Sequence, residues 1–187
     1  MNLSELILAR RSVRKYQPQA VPRELIDRCL EAARLAPSAC NSQPWHFIII
    51  DDETAKNRLC EASFSGIYSS NKFVKSAPVI VVIVTEQKSF KVKAGAFFRD
   101  VRYALIDIGI AGEHFALQAA ELGLGTCWLG WFSQRGVRKA LGLPRTAKID
   151  IMFSLGYPTD NATRPKNRRT LDEIRHYFSE KKTCGRR

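Results

Sequence analysis

From Phe97 to Leu122 the chain carries a helical run that is apolar nearly all the way round, with Val101, Leu105, Ile106, Ile108, Ile110, Ala111, Phe115, Leu117 and Ala119 spread over every face. A helix with no polar face has to be covered on all sides. The chain has 187 residues, enough for one substantial core and too few for two. A partner subunit is then the expected source of the missing cover. Gly109 and Gly112 would allow a close helix crossing along this run, and Gly123 and Gly125 stop it.

The remaining elements follow from periodicity and punctuation. Asn2 and Glu5 stand three apart ahead of Leu6, Ile7 and Leu8, a capping-box start for a helix that ends near Arg11. Pro22 opens a second helix at its first turn, with Leu25, Ile26, Cys29, Leu30 and Ala33 on one face. A strand over 47–50 comes next, and Asp51, Asp52 and Glu53 cap a third helix over 54–62. The stretch 63–71 has no pattern and reads as a connector or a mobile lid. The β-branched run 79–84 reads as a strand buried on both faces. The polar stretch 88–93 reads as exposed. Strands are expected over 127–132 and 148–155, with a short helix over 135–141 between them and a last short element at 171–174. This order predicts α+β or α/β layering in a single domain over 1–187, with a basic tail at about 178–187.

Between the second helix and the 47–50 strand lies Ala36-Pro37-Ser38-Ala39-Cys40-Asn41-Ser42-Gln43-Pro44-Trp45-His46-Phe47. Its two prolines fix φ and remove backbone donors, so neither helix nor strand runs through it. The small and amide residues between them suit a tight turn that offers hydrogen bonds outward. The rigid bulk of Trp45 is expected in the core, anchoring this loop to the sheet.

Charge is the second constraint. Lys and Arg number 30 against 18 acidic residues, a net +12, which points to an anionic partner. Much of the surplus lies in two clusters far apart in sequence, Arg10-Arg11-Ser12-Val13-Arg14-Lys15 and Arg164-Pro165-Lys166-Asn167-Arg168-Arg169. They are either solvated surface or two halves of one phosphate site. No nucleic-acid module is visible and no exposed aromatics interleave with the basic residues, which argues against nucleic acid.

Self-sufficient catalysis has little support. His46, His114 and His176 stand outside any nucleophile or zinc motif, and no phosphate-binding glycine motif follows a strand. Asp107 and Glu113, about two turns apart on the apolar helix, read as polar interface contacts. The five cysteines at 29, 40, 60, 127 and 184 form no Cys-x-x-Cys pair, which predicts free thiols and no metal. The longest apolar run is too short to span a bilayer and no signal peptide is evident, so a soluble cytoplasmic protein is expected. Any enzyme here would leave the hard step to a cofactor.

Taken together, the Arg-Ser element at 11–12, the Pro-Ser-x-x-Asn-x-Gln-Pro-Trp loop at 37–45, the Gly-Leu-Gly-Thr-Cys-Trp-Leu-Gly block at 123–130, Leu155-Gly156-Tyr157-Pro158 and the 165–174 ending resemble the nitroreductase family. The resemblance runs from about Leu6 to Tyr177. It implies a three-layer α+β homodimer whose central sheet, mixed but mostly antiparallel, is flanked by helices, with FMN at two interface sites. It also implies that NAD(P)H reduces the flavin and that a nitroaromatic, a quinone or a similar electron-poor acceptor reoxidises it, by a ping-pong mechanism.

Residue by residue, the resemblance implies that Arg10 and Ser12, with Arg11 beside them, hold the phosphate and ribityl chain. Lys166 and Arg168 close on the same phosphate, with Arg169 able to exchange with Arg168. Arg14 approaches the N1/O2 edge of the flavin. Pro37, Ser38, Ala39 and Asn41 come from the other subunit, Asn71 contacts the ring edge, and Leu129 and Gly130 offer backbone N–H groups near N5 and O4. The rival expectations are an FMN-binding regulatory protein without turnover and a basic nucleic-acid-binding domain.

Overall fold

The computed structural model describes residues 1–86, 101–160 and 165–178. The helices are α1 (Leu3–Ala9), α2 (Arg23–Arg34), α3 (Glu53–Ser63), α4 (Tyr103–Glu121), α5 (Gln134–Leu141) and α6 (Leu171–Ile174). The strands are β1 (Trp45–Ile50), β2 (Val79–Thr85), β3 (Gly125–Leu129) and β4 (Lys148–Gly156). Two 3-10 segments, Ala39–Asn41 and Gly66–Ser76, complete the set. The expectations for 88–93, for the start of the long helical run at 97–100 and for the basic tail from 179 onward lie outside the described residues.

The strands form one sheet in the order β1-β2-β4-β3, and each neighbouring pair is antiparallel. The expected mixed character reduces, among the described residues, to an isolated parallel bridge between Ser12 and Thr126. β2 is buried along its whole length, as its unbroken β-branched run requires. Its alternate side chains feed two cores. Val79, Val81 and Ile83 pack with Ile26, Ala33, Ile108 and Phe115 of α2 and α4. Ile80, Val82 and Val84 pack with Leu59, Val74, Val137 and Ala140 on the α3 and α5 side. The result is helix, sheet, helix in three layers.

Most of the cover for α4 comes from this same chain. The sheet, α2, α1 and the Ala39–Asn41 turn bury Ala104, Ile108, Ala111, Phe115 and Ala119, while Ile106 stays 53% exposed. Phe115 sits between Phe47 and Phe153, with ring centroids 6.5 and 5.4 Å away. The two glycines of this helix differ in their surroundings. Gly109 has nothing within 4 Å, whereas a Cβ on Gly112 would lie 2.4 Å from the Trp128 ring. Gly112 therefore seats the sheet's tryptophan rather than a second helix.

Several boundaries shift for local reasons. Asn2 and Glu5 form the capping box, but α1 ends at Ala9 with Arg10 as its C-cap. Pro22 is the N-cap of α2 rather than its first residue, and Asp52 caps α3 through a 2.8 Å bond from Ala55 N–H. β1 begins at Trp45, which packs against the α2–α4 core. β3 starts and stops earlier than 127–132 because Gly125 and Thr126 pair with Gly156 and Leu155. The stretch 63–71 is the end of α3 followed by 3-10 turns, whose tight repeat leaves only Val74 buried and so no apolar period to read.

A strap over 12–17 runs beside β3 and past the end of β4. Val13 N–H donates to Thr126 O at 2.8 Å, and Gln17 N–H donates to Tyr157 O at 2.8 Å. Tyr16 is buried beneath the strap; its hydroxyl donates to Val13 O and accepts from Ser154 Oγ, both at 2.7 Å. Close approach fixes Gly125, where a Cβ would stand 2.6 Å from the Val13 side chain. The strap carries Arg14 and Lys15 of the first basic cluster, and Arg10 and Arg11 precede it.

Candidate functional site

Helix α1 has seven residues, and its last carbonyls have no helical partners. Lys166, 156 residues beyond the C-cap, supplies them: its Nζ donates to the carbonyl oxygens of Ile7 and Arg10, each at 2.6 Å. The negative end of the helix dipole favours this cation. The Arg10 side chain pairs with Glu113 of α4, Nε to Oε1 at 3.1 Å. Loss of hydration, followed by the nearby charges of Arg10 and Arg168, holds Lys166 below the usual lysine range, with Glu113 opposing. The two basic clusters therefore meet in space. Lys166, the Arg10–Glu113 pair and Arg168 lie near enough for their charges to act on one another.

Other members of the clusters are partly engaged. Arg11 bonds both the side chain and the carbonyl of Asp160, and these residues line a cleft of about 270 Å³ together with Arg10, Val13 and Thr126. Arg168 is exposed and donates to Asn167 O at 2.7 Å. Arg14, also exposed, lies with its guanidinium 5.9 Å from the Phe73 ring centroid. Burial pushes the Cys127 thiol up, while Arg14, the Ser12 hydroxyl and Arg10 oppose that shift. The charges of Arg10 and Arg14 thus reach Cys127 on β3.

The Pro37–Pro44 loop is held differently. Cys40, Asn41 and Gln43 have φ of 51°, 52° and 43°, left-handed values that cost a non-glycine residue about 1 kcal/mol or more each. All three are exposed, so burial of their own side chains does not offset the strain. The compensation is polar. Ser38 Oγ accepts from Gln43 N–H at 3.0 Å, and the Gln43 amide donates to Asn41 Oδ1 at 3.1 Å. Asp107, reaching up from α4 and only 3% exposed, accepts from Ala39 N–H at 3.0 Å and from the Ser42 hydroxyl at 3.3 Å. Asp107 and Glu113 make contacts within this chain, where the sequence suggested interface contacts; one holds the loop and the other holds Arg10.

Asn71 donates through Nδ2 to Trp131 O at 2.8 Å, and Trp131 Nε1 donates back to Ile67 O at 2.9 Å. The Tyr68 and Trp131 rings meet at 5.2 Å. These contacts fix the Gly66–Ser76 segment to the chain just past β3, beside buried Leu129 and exposed Gly130. The stretch read from the sequence as a connector or a lid is tied here to Trp131. Sequence reading missed this staple and the anchoring role of Asp107. The second had a signal, because an acid between Ile106 and Ile108 on an apolar helix needs a buried partner.

The histidines stay outside these groups as chemistry: His46 and His176 are exposed, and the His114 ring nitrogen lies 3.2 Å from Ala32 O. Among the described residues no cluster of His, Cys, Asp and Glu would hold a metal ion. No described helix is long and apolar enough to cross a membrane.

Three comparisons bear on this arrangement. An NADH dehydrogenase of Thermus thermophilus is 30% identical over 193 residues, covering 89% of this chain and 91% of the relative. A nitroreductase family protein from Clostridium difficile 630 is 28% identical, with a TM-score of 0.79 over 96% of this chain and 99% of that one. An FMN-dependent nitroreductase from Clostridium difficile R20291 is 28% identical, with a TM-score of 0.73 over 95% of this chain and 99% of that one. The nitroreductase family model matches residues 7–157, so Lys166 and Arg168 lie beyond the matched span. With the three-layer antiparallel fold and a match over most of its length, the chain belongs to the nitroreductase family.

Proposed function

We propose that the protein is an FMN-dependent oxidoreductase that takes a hydride from NAD(P)H and passes electrons to an electron-poor acceptor such as a nitroaromatic or a quinone, working as a homodimer. The observation that carries this reading is the convergence of Arg10, Lys166 and Arg168, with the Lys166 ammonium pushed down by lost hydration and by the two arginines. This donor set fits a phosphate monoester dianion, and arginine forks suit its oxygens. The 28% identical FMN-dependent nitroreductase supports that choice of anion.

FMN, when bound, would supply the redox chemistry between NAD(P)H and the acceptor. The chain's own residues bind and orient. Arg10, Lys166 and Arg168 hold the phosphate, with Ser12 on the ribityl chain and Arg11 beside them. Arg14 contributes positive charge toward the pyrimidine edge of the ring, where negative charge grows on reduction. Asn71 and the backbone of Leu129 and Gly130 fix the ring edge. Pro37, Ser38, Ala39 and Asn41 of a second copy cover the ring and exclude water.

The dimer has support in unpartnered apolar side chains. Leu3, Ile7 and Leu8 on α1, Ile106 on α4, and Leu171, Ile174, Tyr177 and Phe178 in the C-terminal segment are all at least half exposed. Apolar exposure spread along several elements is a feature of association surfaces.

Initial-rate kinetics test the reaction. Both substrates use one site in turn, so double-reciprocal plots at several acceptor concentrations are expected to be parallel. Intersecting lines would exclude a shared site visited alternately.

A further inference from the structure

We propose that Asp107 is a positioning residue for the flavin-facing loop: it sets the conformation of residues 38–43 and, through them, the affinity for FMN. The inference rests on the oxidoreductase reading above. Each carboxylate oxygen of Asp107 takes one loop donor, Oδ1 from Ala39 N–H at 3.0 Å and Oδ2 from the Ser42 hydroxyl at 3.3 Å. These donors bracket Cys40 and Asn41, whose φ values are 51° and 52°. A plain connection between α2 and β1 would place glycine at such positions. Here non-glycine residues are held left-handed with exposed side chains, and a buried acid on the neighbouring helix meets the cost.

Strain of this kind persists where the surroundings over-determine it, and it marks a conformation needed for something outside the loop. Ser38, Ala39 and Asn41 are the residues that cover the ring in the proposed dimer. Asp107 touches neither cofactor nor substrate and acts only through them.

Releasing the loop lowers the fraction of molecules in the binding-competent conformation, and the apparent Kd rises by the inverse of that fraction. Losing hydrogen bonds to a buried charge makes that a roughly ten- to hundredfold effect. The test is FMN titration by flavin fluorescence for wild type, Asp107→Ala, Asp107→Asn and Ser42→Ala, at a temperature where circular dichroism finds each apoprotein folded.

Asp107→Ala is expected to raise Kd by roughly ten- to hundredfold. Asp107→Asn keeps an oxygen for Ala39 N–H and gains an amide that donates to Ser42 Oγ, so its Kd is expected to stay within about threefold of wild type. Ser42→Ala, which removes one bond and keeps the acid, is expected to fall between them, and it carries the test if Asp107→Ala does not fold. A purely structural anchor would lower the melting temperature and leave the Kd of the folded protein unchanged, which would overturn the proposal. Wild type that binds FMN while Asp107→Ala or Ser42→Ala binds it equally well sinks this inference alone. Wild type that binds no FMN sinks the oxidoreductase reading and this inference with it.

Discussion

Lys166 does two jobs with one ammonium, closing the carbonyl end of α1 and contributing charge to the cation cluster. Lys166→Met keeps most of the side-chain length and removes the charge. It is expected to raise the Kd for FMN roughly tenfold or more, the usual scale for a lost charge-assisted hydrogen bond. Titration against wild type checks this. A second prediction concerns the buried thiols. Burial pushes Cys29 from 9.0 up to about 12 and Cys60 from 9.0 up to about 11. In the unfolded chain both ionise near the ordinary value, while the folded protein still binds those protons. The unfolded state then carries fewer protons, so stability falls as pH rises from about 9 toward 11. Urea titrations at pH 8 and pH 10 are expected to find lower stability at pH 10, with a smaller loss in Cys60→Ala than in wild type.

At the scale of elements, α3 and α5 touch backbone to backbone. A Cβ on Gly136 would lie 1.9 Å from the carbonyl oxygen of Ala62, and Ser133 N–H donates to Ser63 O at 3.0 Å nearby. Gly136→Ala is therefore expected to separate these helices and to cost about 1–3 kcal/mol, the range for overpacking, measured by chemical denaturation. Nothing in the sequence foretold this contact, since a glycine in the first turn of a short helix looks merely tolerated. β2 was legible because an unbroken β-branched run has few ways to be buried. The capping box of α1 was legible because it is local. The two basic clusters were legible as a possible pair, but the carbonyl contacts of Lys166 were not, because they depend on where α1 stops. The 3-10 segment beside Trp131 was misread as patternless for the same reason: its fastening points lie about 60 residues away in the chain.

At the scale of the molecule, α4 ties the candidate site together. Its buried face packs under the sheet, Asp107 holds the loop over 38–43, and Glu113 holds Arg10 at the cation cluster. Its exposed Ile106 and the apolar side chains of α1 and the C-terminal segment leave a surface that a second copy would cover. In that dimer, the loop of one subunit and the cation cluster of the other would enclose the same ligand. The most direct test is a visible absorption spectrum of the purified protein after incubation with FMN and removal of the excess, followed by anaerobic NAD(P)H. The account predicts retained flavin bands that bleach on adding the nicotinamide. A protein that emerges colourless would contradict it, and bands that persist in NAD(P)H would leave an FMN-binding protein without the proposed turnover.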